Sequence, residues 1–226
     1  MSVIRFDGVS HAYGERRVLS GIDLELTEHR IGIIGSNGSG KSTLARMING
    51  LVTPSSGKVT VDGLDVSRKG GEVRRKVGFV FTDPDNQIVM PTVGEDLAFS
   101  LRRSKLPRSV VAERVQSMLE RFRLDGHADH PAHLLSGGQK QMLAIGAVLI
   151  REPEVIVADE PTTLLDLRNA RMVTDVLTSV DQQVIVVTHQ LALLNGFDRV
   201  VVIHEGAVVH DGTPTDAVPA YEKLLA

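Results

Sequence analysis

Residues 30–50 read "RIGIIGSNGSGKSTLARMING". An apolar run ends at a glycine-rich turn, and a helical pattern follows and stops near Gly50 and Pro54. Gly35 to Ser42 fits G-x-x-x-x-G-K-[ST], directly after a strand and directly before a helix. Glycines at Gly35, Gly38 and Gly40 let backbone N–H groups converge on phosphate oxygens without side-chain clash. The helix N-terminus adds its positive end. Lys41 is placed to reach the β- and γ-phosphates, and Ser42 to ligate Mg2+. A glycine-rich turn matching by chance is the competing reading, and the strand–loop–helix context weighs against it.

A phosphate loop needs a carboxylate near its metal. "VIVADE", residues 155–160, supplies two at the end of a Val-rich run. Asp159 suits the metal, and Glu160 suits polarising an attacking water. An acid pair at a helix start is the alternative. "VIVVTHQ" ends another Val-rich run at His189, on the side where open α/β sheets bind ligands, within reach of a γ-phosphate. "HLLSGGQKQ", residues 133–141, opens a further helix. Ser136 is a good N-cap, and Gly137 and Gly138 leave N–H groups open to an anion. That makes a second phosphate-binding surface with no lysine of its own, although in isolation a plain helix cap is the better reading. Tyr13, in a loop context, can stack on a base or be an ordinary surface aromatic.

The bulk numbers bound the remainder. The chain has 226 residues, 42% of them hydrophobic, enough for one sizeable core. A net charge of −3 speaks against a general nucleic-acid binder. The absence of cysteine excludes disulfides, thiolate metal sites and a cysteine nucleophile. "MSVIRFDGVS" has no apolar core and is expected not to be a signal peptide. The longest apolar run, "MLAIGAVLI" at 142–150, is far too short to cross a bilayer, so any membrane role passes through a partner. Strand-like runs dominate the first third and return in the last, where continuous Val/Ile runs suit buried parallel strands. The middle predicts helices: one from a Thr92/Glu95 capping box, one after Ser109 with Val111, Val115, Met118 and Phe122 on one face, and one after Ser136.

Taken together, these motifs resemble the ATP-binding cassette (ABC) ATPases. "GSNGSGKST" is similar to their phosphate loop and "LSGGQ" to their signature, and "VIVADEPT", "LLD" at 164–166 and His189 follow in the family's order. The resemblance implies an α/β P-loop NTPase with a RecA-like core, an N-terminal antiparallel β subdomain and a helical subdomain. It implies one domain, with residues 1–87 and 151–226 as the nucleotide-binding core and 88–150 as the helical subdomain. It implies ATP and Mg2+. Glu160, His189 and Lys41 would be catalytic. Nucleotide contacts would come from Tyr13, Gly35, Ser36, Asn37, Gly38, Ser39, Gly40, Lys41, Ser42, Thr43, Ser136, Gly137, Gly138, Gln139 and Asp166. Metal contacts would come from Ser42, Asp159 and Thr82. In such ATPases two subunits face each other head to tail, and the Ser136 loop of one caps the γ-phosphate held by the other. That explains a second phosphate-binding loop in one chain.

"PDNQIV" followed by "TVGEDLAF" is similar to the ATPases of energy-coupling-factor importers, biotin importers above all, with cobalt and nickel importers sharing most of the pattern. The partners implied are a second ATPase subunit, a homodimer being expected, an integral-membrane coupling subunit and a substrate-binding membrane subunit, with no nucleic acid. The chain would sit on the cytoplasmic face of the membrane. Pro84–Val89 and the helix from Val93 would line a groove for a membrane-subunit helix, with Val89 and Leu97 at the contact. Two departures stand out: Thr82 replaces the family's metal-contacting glutamine, and Thr163-Leu164-Leu165-Asp166 stands where Ser-Gly/Ala-Leu-Asp is usual. A DNA-repair or chromosome-type ATPase shares the motifs but needs a long coiled-coil insertion, and no heptad run is present.

Overall fold

The structure is a computed structural model describing residues 1–225. In chain order it runs β1 (Ile4–Tyr13), β2 (Arg16–Leu26), β3 (Arg30–Ile34), α1 (Lys41–Ile48), β4 (Ser56–Val61), β5 (Leu64–Asp65), α2 (Val66–Lys76), β6 (Val77–Val80), α3 (Val93–Ser100), α4 (Arg108–Arg121), α5 (Gly137–Leu149), β7 (Val155–Asp159), α6 (Leu167–Ser179), β8 (Gln183–Val187), β9 (Arg199–His204), β10 (Ala207–Gly212) and α7 (Pro214–Leu225). The chain forms two compact units. One holds residues 1–79, 154–160 and 180–225; the other holds 80–153 and 161–179. The division falls at Val80 and Pro153 rather than at 88 and 150, and it carries α6 into the helical unit.

The first unit contains two sheets. An antiparallel sheet runs β2-β1-β4-β5 and a six-stranded sheet runs β10-β9-β3-β8-β7-β6. In the second, β3, β7, β8 and β9 are parallel. Strands β3, β7 and β8 are buried along their whole length, as uninterrupted Val/Ile runs in a covered parallel sheet should be. The register levels their ends: Val187 lies opposite both Ile33 and Asp159. The loops after Ile34, Asp159 and Val187 therefore leave the same sheet edge in one row, which is where open α/β sheets place ligands.

Some expectations shift. The run 199–212 is not wholly parallel: β9 pairs parallel with β3, but β10 folds back on β9 as an antiparallel strand. Glu205 and Gly206, both at positive φ, make the turn. Tyr13 is not in a loop; it ends β1 opposite Arg16 across a Gly14–Glu15 turn and is 52% exposed.

In the helical unit, α3 packs on α4 and α5, and α5 on α6. Residues 141–149 of α5 are buried on every side, as a helix apolar all round must be. Helix α4 begins at Arg108 with Pro107 as its N-cap, not after Ser109; proline's fixed φ suits a helix start.

Candidate functional site

The phosphate loop curls around its own lysine. Lys41 Nζ donates to the carbonyls of Gly35 at 2.8 Å and Ser36 at 2.9 Å. Gly35, Gly38 and Gly40 adopt φ of 154°, 79° and 105°. At Gly35 a Cβ would overlap the Ile203 carbonyl, and at Gly40 it would lie 2.7 Å from the Val18 carbonyl. Only glycine permits both the conformation and the approach there. Ser36 is half-buried and Asn37 exposed on the outer turn, while Thr43 lies in the first turn of α1. The Ser39 hydroxyl is buried without a partner. Burial lowers the Lys41 ammonium's pKa, against the pull of Glu160 and Asp159.

Ser42 donates to Asp159 Oδ1 at 2.7 Å, and the Arg46 guanidinium meets Oδ2 at 3.2 Å. Burial raises the Asp159 carboxyl, while Ser42 and Arg46 pull it back down. Arg46 escaped the sequence reading. Its spacing from Ser42, one helical turn on α1, was the available signal. Glu160 has φ 51°, and its N–H donates to the Val187 carbonyl at 2.9 Å. Its carboxylate lies 2.9 Å from His189 Nδ1. His189 stands two residues past the end of β8 rather than on it. Lys41, Ser42, Asp159, Glu160 and His189 thus meet at one edge of one sheet.

Thr82, Ser136–Gln139 and Asp166 belong to the helical unit. Beside Thr82, the Gln87 amide accepts from Phe81 N at 3.2 Å and donates to the Ala144 carbonyl at 2.8 Å. Gln87 is thereby engaged in holding its loop on α5. Ser136 and Gln139 form a full capping box. A Cβ at Gly137 would meet open space, whereas one at Gly138 would overlap the Asn169 amide. Asn169 in turn binds Asp166 twice, at 2.8 and 3.0 Å. The Ser136 loop and Asp166 are therefore packed together through Asn169, a residue that sequence motifs did not single out.

The segment ahead of α3 is pinned. Asp96, buried, accepts from Val89 N at 2.9 Å and Met90 N at 3.0 Å, and Lys140 pairs with Asp85 at 2.7 Å. Val89 is 62% exposed. Leu97 is 1% exposed and belongs to the core, so it lines no surface groove.

Residues 19–163 match the ABC transporter family. The chain belongs to it. Among relatives of this ABC ATPase, one from Deinococcus radiodurans, named only for ABC transporter ATP binding, is 52% identical over 99% of each chain. The biotin transport ATP-binding protein BioM of Rhizobium etli is 41% identical over 99% of each chain. The energy-coupling factor transporter ATP-binding protein EcfA1 of Symbiobacterium thermophilum is 39% identical, covering 97% of this chain and 82% of its own. The solved structure of CbiO1 from Clostridium perfringens, part of the ABC transporter complex CbiONQ, superposes with TM-score 0.84 at 34% identity, covering 98% of this chain and 92% of its own. The fold is thus the α/β fold of ABC ATPases, and the protein hydrolyses ATP, with Mg2+, to drive transport.

Among the described residues, no three His, Cys, Asp or Glu side chains gather to hold an ion by themselves. Mg2+ does not ask for that. It takes one or two protein oxygens and completes its shell with phosphates and water. The adjacent Ser42 hydroxyl and Asp159 carboxylate, beside the phosphate loop, are a donor set of that kind.

Proposed function

We propose that this ABC ATPase energises an energy-coupling-factor-type importer, with biotin as the favoured cargo. The support for biotin is the 41% identity to BioM along the whole chain; EcfA1 and CbiO1 support the importer class. The observation that carries membrane docking is the pinned 83–96 segment with Val89 held out to solvent. An apolar side chain on a rigid mount suits a helix-in-groove partner. Among the described residues no helix is long and apolar enough to cross a membrane. The proposed place is therefore peripheral, on the cytoplasmic side, bound to a coupling subunit and a substrate-binding subunit. A DNA-repair role is disfavoured by helix length: the longest described helix, α4, has 14 residues, far short of a coiled-coil arm.

In this reading Tyr13 stacks on the base, and the backbone of 35–43 cradles the phosphates. Lys41 exchanges the Gly35 and Ser36 carbonyls for phosphate oxygens. Ser42 and Asp159 hold Mg2+, which when bound neutralises charge on the β- and γ-phosphates. Glu160 accepts a proton from the attacking water, and His189 fixes its carboxylate. Thr82, shorter than the glutamine usual there, would bind a water linked to the metal. Ser136, Gly137, Gly138, Gln139 and Asp166 meet the γ-phosphate side of a second copy's nucleotide. The test is capture of the native complex in detergent, followed by labelled-biotin uptake in cells lacking the chain. Co-purifying small multispanning proteins with lost uptake are expected; soluble DNA-repair partners would reject the class, and intact biotin uptake would reject the cargo.

A further inference from the structure

The short turn Asp125–His127 precedes the signature helix α5. At its end, His127 Nε2 lies 3.3 Å from Gln139 Nε2. The same Gln139 is the capping-box partner of Ser136. The Ser136 backbone N–H can only donate, and it reaches Gln139 Oε1 at 3.0 Å. That bond fixes the amide's orientation: its oxygen faces Ser136 and its NH2 faces His127. An NH2 group only donates, so the imidazole nitrogen opposite must carry a bare lone pair. An accepting Nε2 requires the tautomer with its proton on Nδ1. Nδ1 is buried and has no hydrogen-bond partner. The opposite tautomer would set N–H against NH2 and lose the contact to Gln139. The His130 ring stands T-shaped to it, with 5.5 Å between centroids. An unsatisfied buried N–H is unfavourable and needs a reason to persist.

We propose that His127 is a positioning residue for the signature loop. By accepting from Gln139 it locks the capping box, and the box orients the Ser136 hydroxyl. Ser136 Oγ already accepts from Gln139 N at 3.3 Å, which leaves its proton to point outward as a donor. This rests on the reading that Ser136 meets the γ-phosphate held by a second copy. Without the lock, the Gln139 side chain swings, the Ser136 N–H loses its acceptor, and the hydroxyl rotates freely. The chain's own phosphate loop is untouched. The loss therefore falls on turnover in the closed dimer and not on nucleotide binding.

Two measurements test this. In intact protein carrying 15N-labelled imidazoles, long-range proton–nitrogen correlation spectra should show His127 as the Nδ1–H tautomer, assigned through its disappearance in His127→Gln. An Nε2–H tautomer or an imidazolium overturns the proposal. In ATPase kinetics, His127→Leu removes the acceptor, while His127→Gln places an amide oxygen near the position of Nε2. The Leu variant should lose about tenfold in kcat, with KM for ATP changed by less than about twofold, and the Gln variant should recover most of the loss. Equal loss in both variants, no loss in either, or a change confined to KM overturns it. If the Leu variant does not fold, the tautomer decides. Wild-type turnover independent of protein concentration would sink the cross-dimer reading alone, since the tautomer still reports on the His127–Gln139 contact.

Discussion

Glu160 occupies φ 51°, a left-handed conformation that costs a non-glycine residue about 1–2 kcal/mol. Strain of this kind persists where surroundings over-determine it. Here the Glu160 N–H is tied to β8 and its carboxylate to His189. The two adjacent acids thus keep different company: Asp159 meets Ser42 and Arg46, and Glu160 meets His189. Glu160→Gln should keep ATP and Mg2+ binding and cut turnover by at least about a hundredfold, near 2.7 kcal/mol of barrier. A carboxamide cannot take the water's proton, so an ATP-bound dimer should accumulate. Turnover within about tenfold of wild type in single-turnover assays would assign the base elsewhere. Lys41→Ala should instead lose tight ATP binding, read by equilibrium titration, because the loop loses its one lysine. That these residues gather at one sheet edge was legible in the sequence, because strand–loop–helix context and residue spacing fix where each one falls. Arg46 and Asn169 were not, because each is tied to the site only through its contacts with motif residues and belongs to no motif itself.

Among the elements, α3 carries the clearest contrast. Its capping box at Thr92 and Glu95 formed as the sequence spacing predicts, because the box is a local hydrogen-bond exchange. Which of its residues reach the surface was not legible, because helix-in-groove patterning and core patterning share one periodicity. Leu97 proved to be core, lying beside Gly146, where an added Cβ would sit 3.4 Å from Leu97 and 3.1 Å from Phe122. Leu97→Ala should therefore cost about 3 kcal/mol in denaturant unfolding, without a specific effect on docking. Val89→Asp should leave unfolding and ATP-dependent dimerisation unchanged while co-purification with membrane subunits falls. Loss of unfolding stability in the Val89 variant would mean that its exposure misleads. Helices α2 and α6 went unread for related reasons. Gly70 and Gly71 interrupt α2, whose non-helical Lys69 marks a kink, and α6 follows the acid motif in a stretch dominated by strand-like runs.

At the scale of the whole molecule, the two sets of residues proposed to meet phosphate lie in two separately packed units. Lys41, Ser42, Asp159, Glu160 and His189 lie in the sheet unit, and Ser136–Gln139 and Asp166 in the helical one. Leu164 and Leu167, on either side of Asp166, are both exposed. A head-to-tail pair of copies accounts for both facts, because each nucleotide would be held by the sheet unit of one copy and the helical unit of the other. That arrangement makes a counting prediction. Lys41→Ala and Ser136→Ala should each be nearly inactive alone. Mixed in equal amounts they form three kinds of dimer, and only the mixed dimer has one intact site, with the phosphate loop from the Ser136 variant and the signature from the Lys41 variant. For sites that turn over independently in a two-fold dimer, the mixture should regain about a quarter of wild-type activity. Steady-state ATPase assays across mixing ratios should peak at equal amounts. With co-dimerisation confirmed by tagged pulldown, a mixture no faster than its parts would reject the composite site, and full activity of Ser136→Ala alone would reject it more simply.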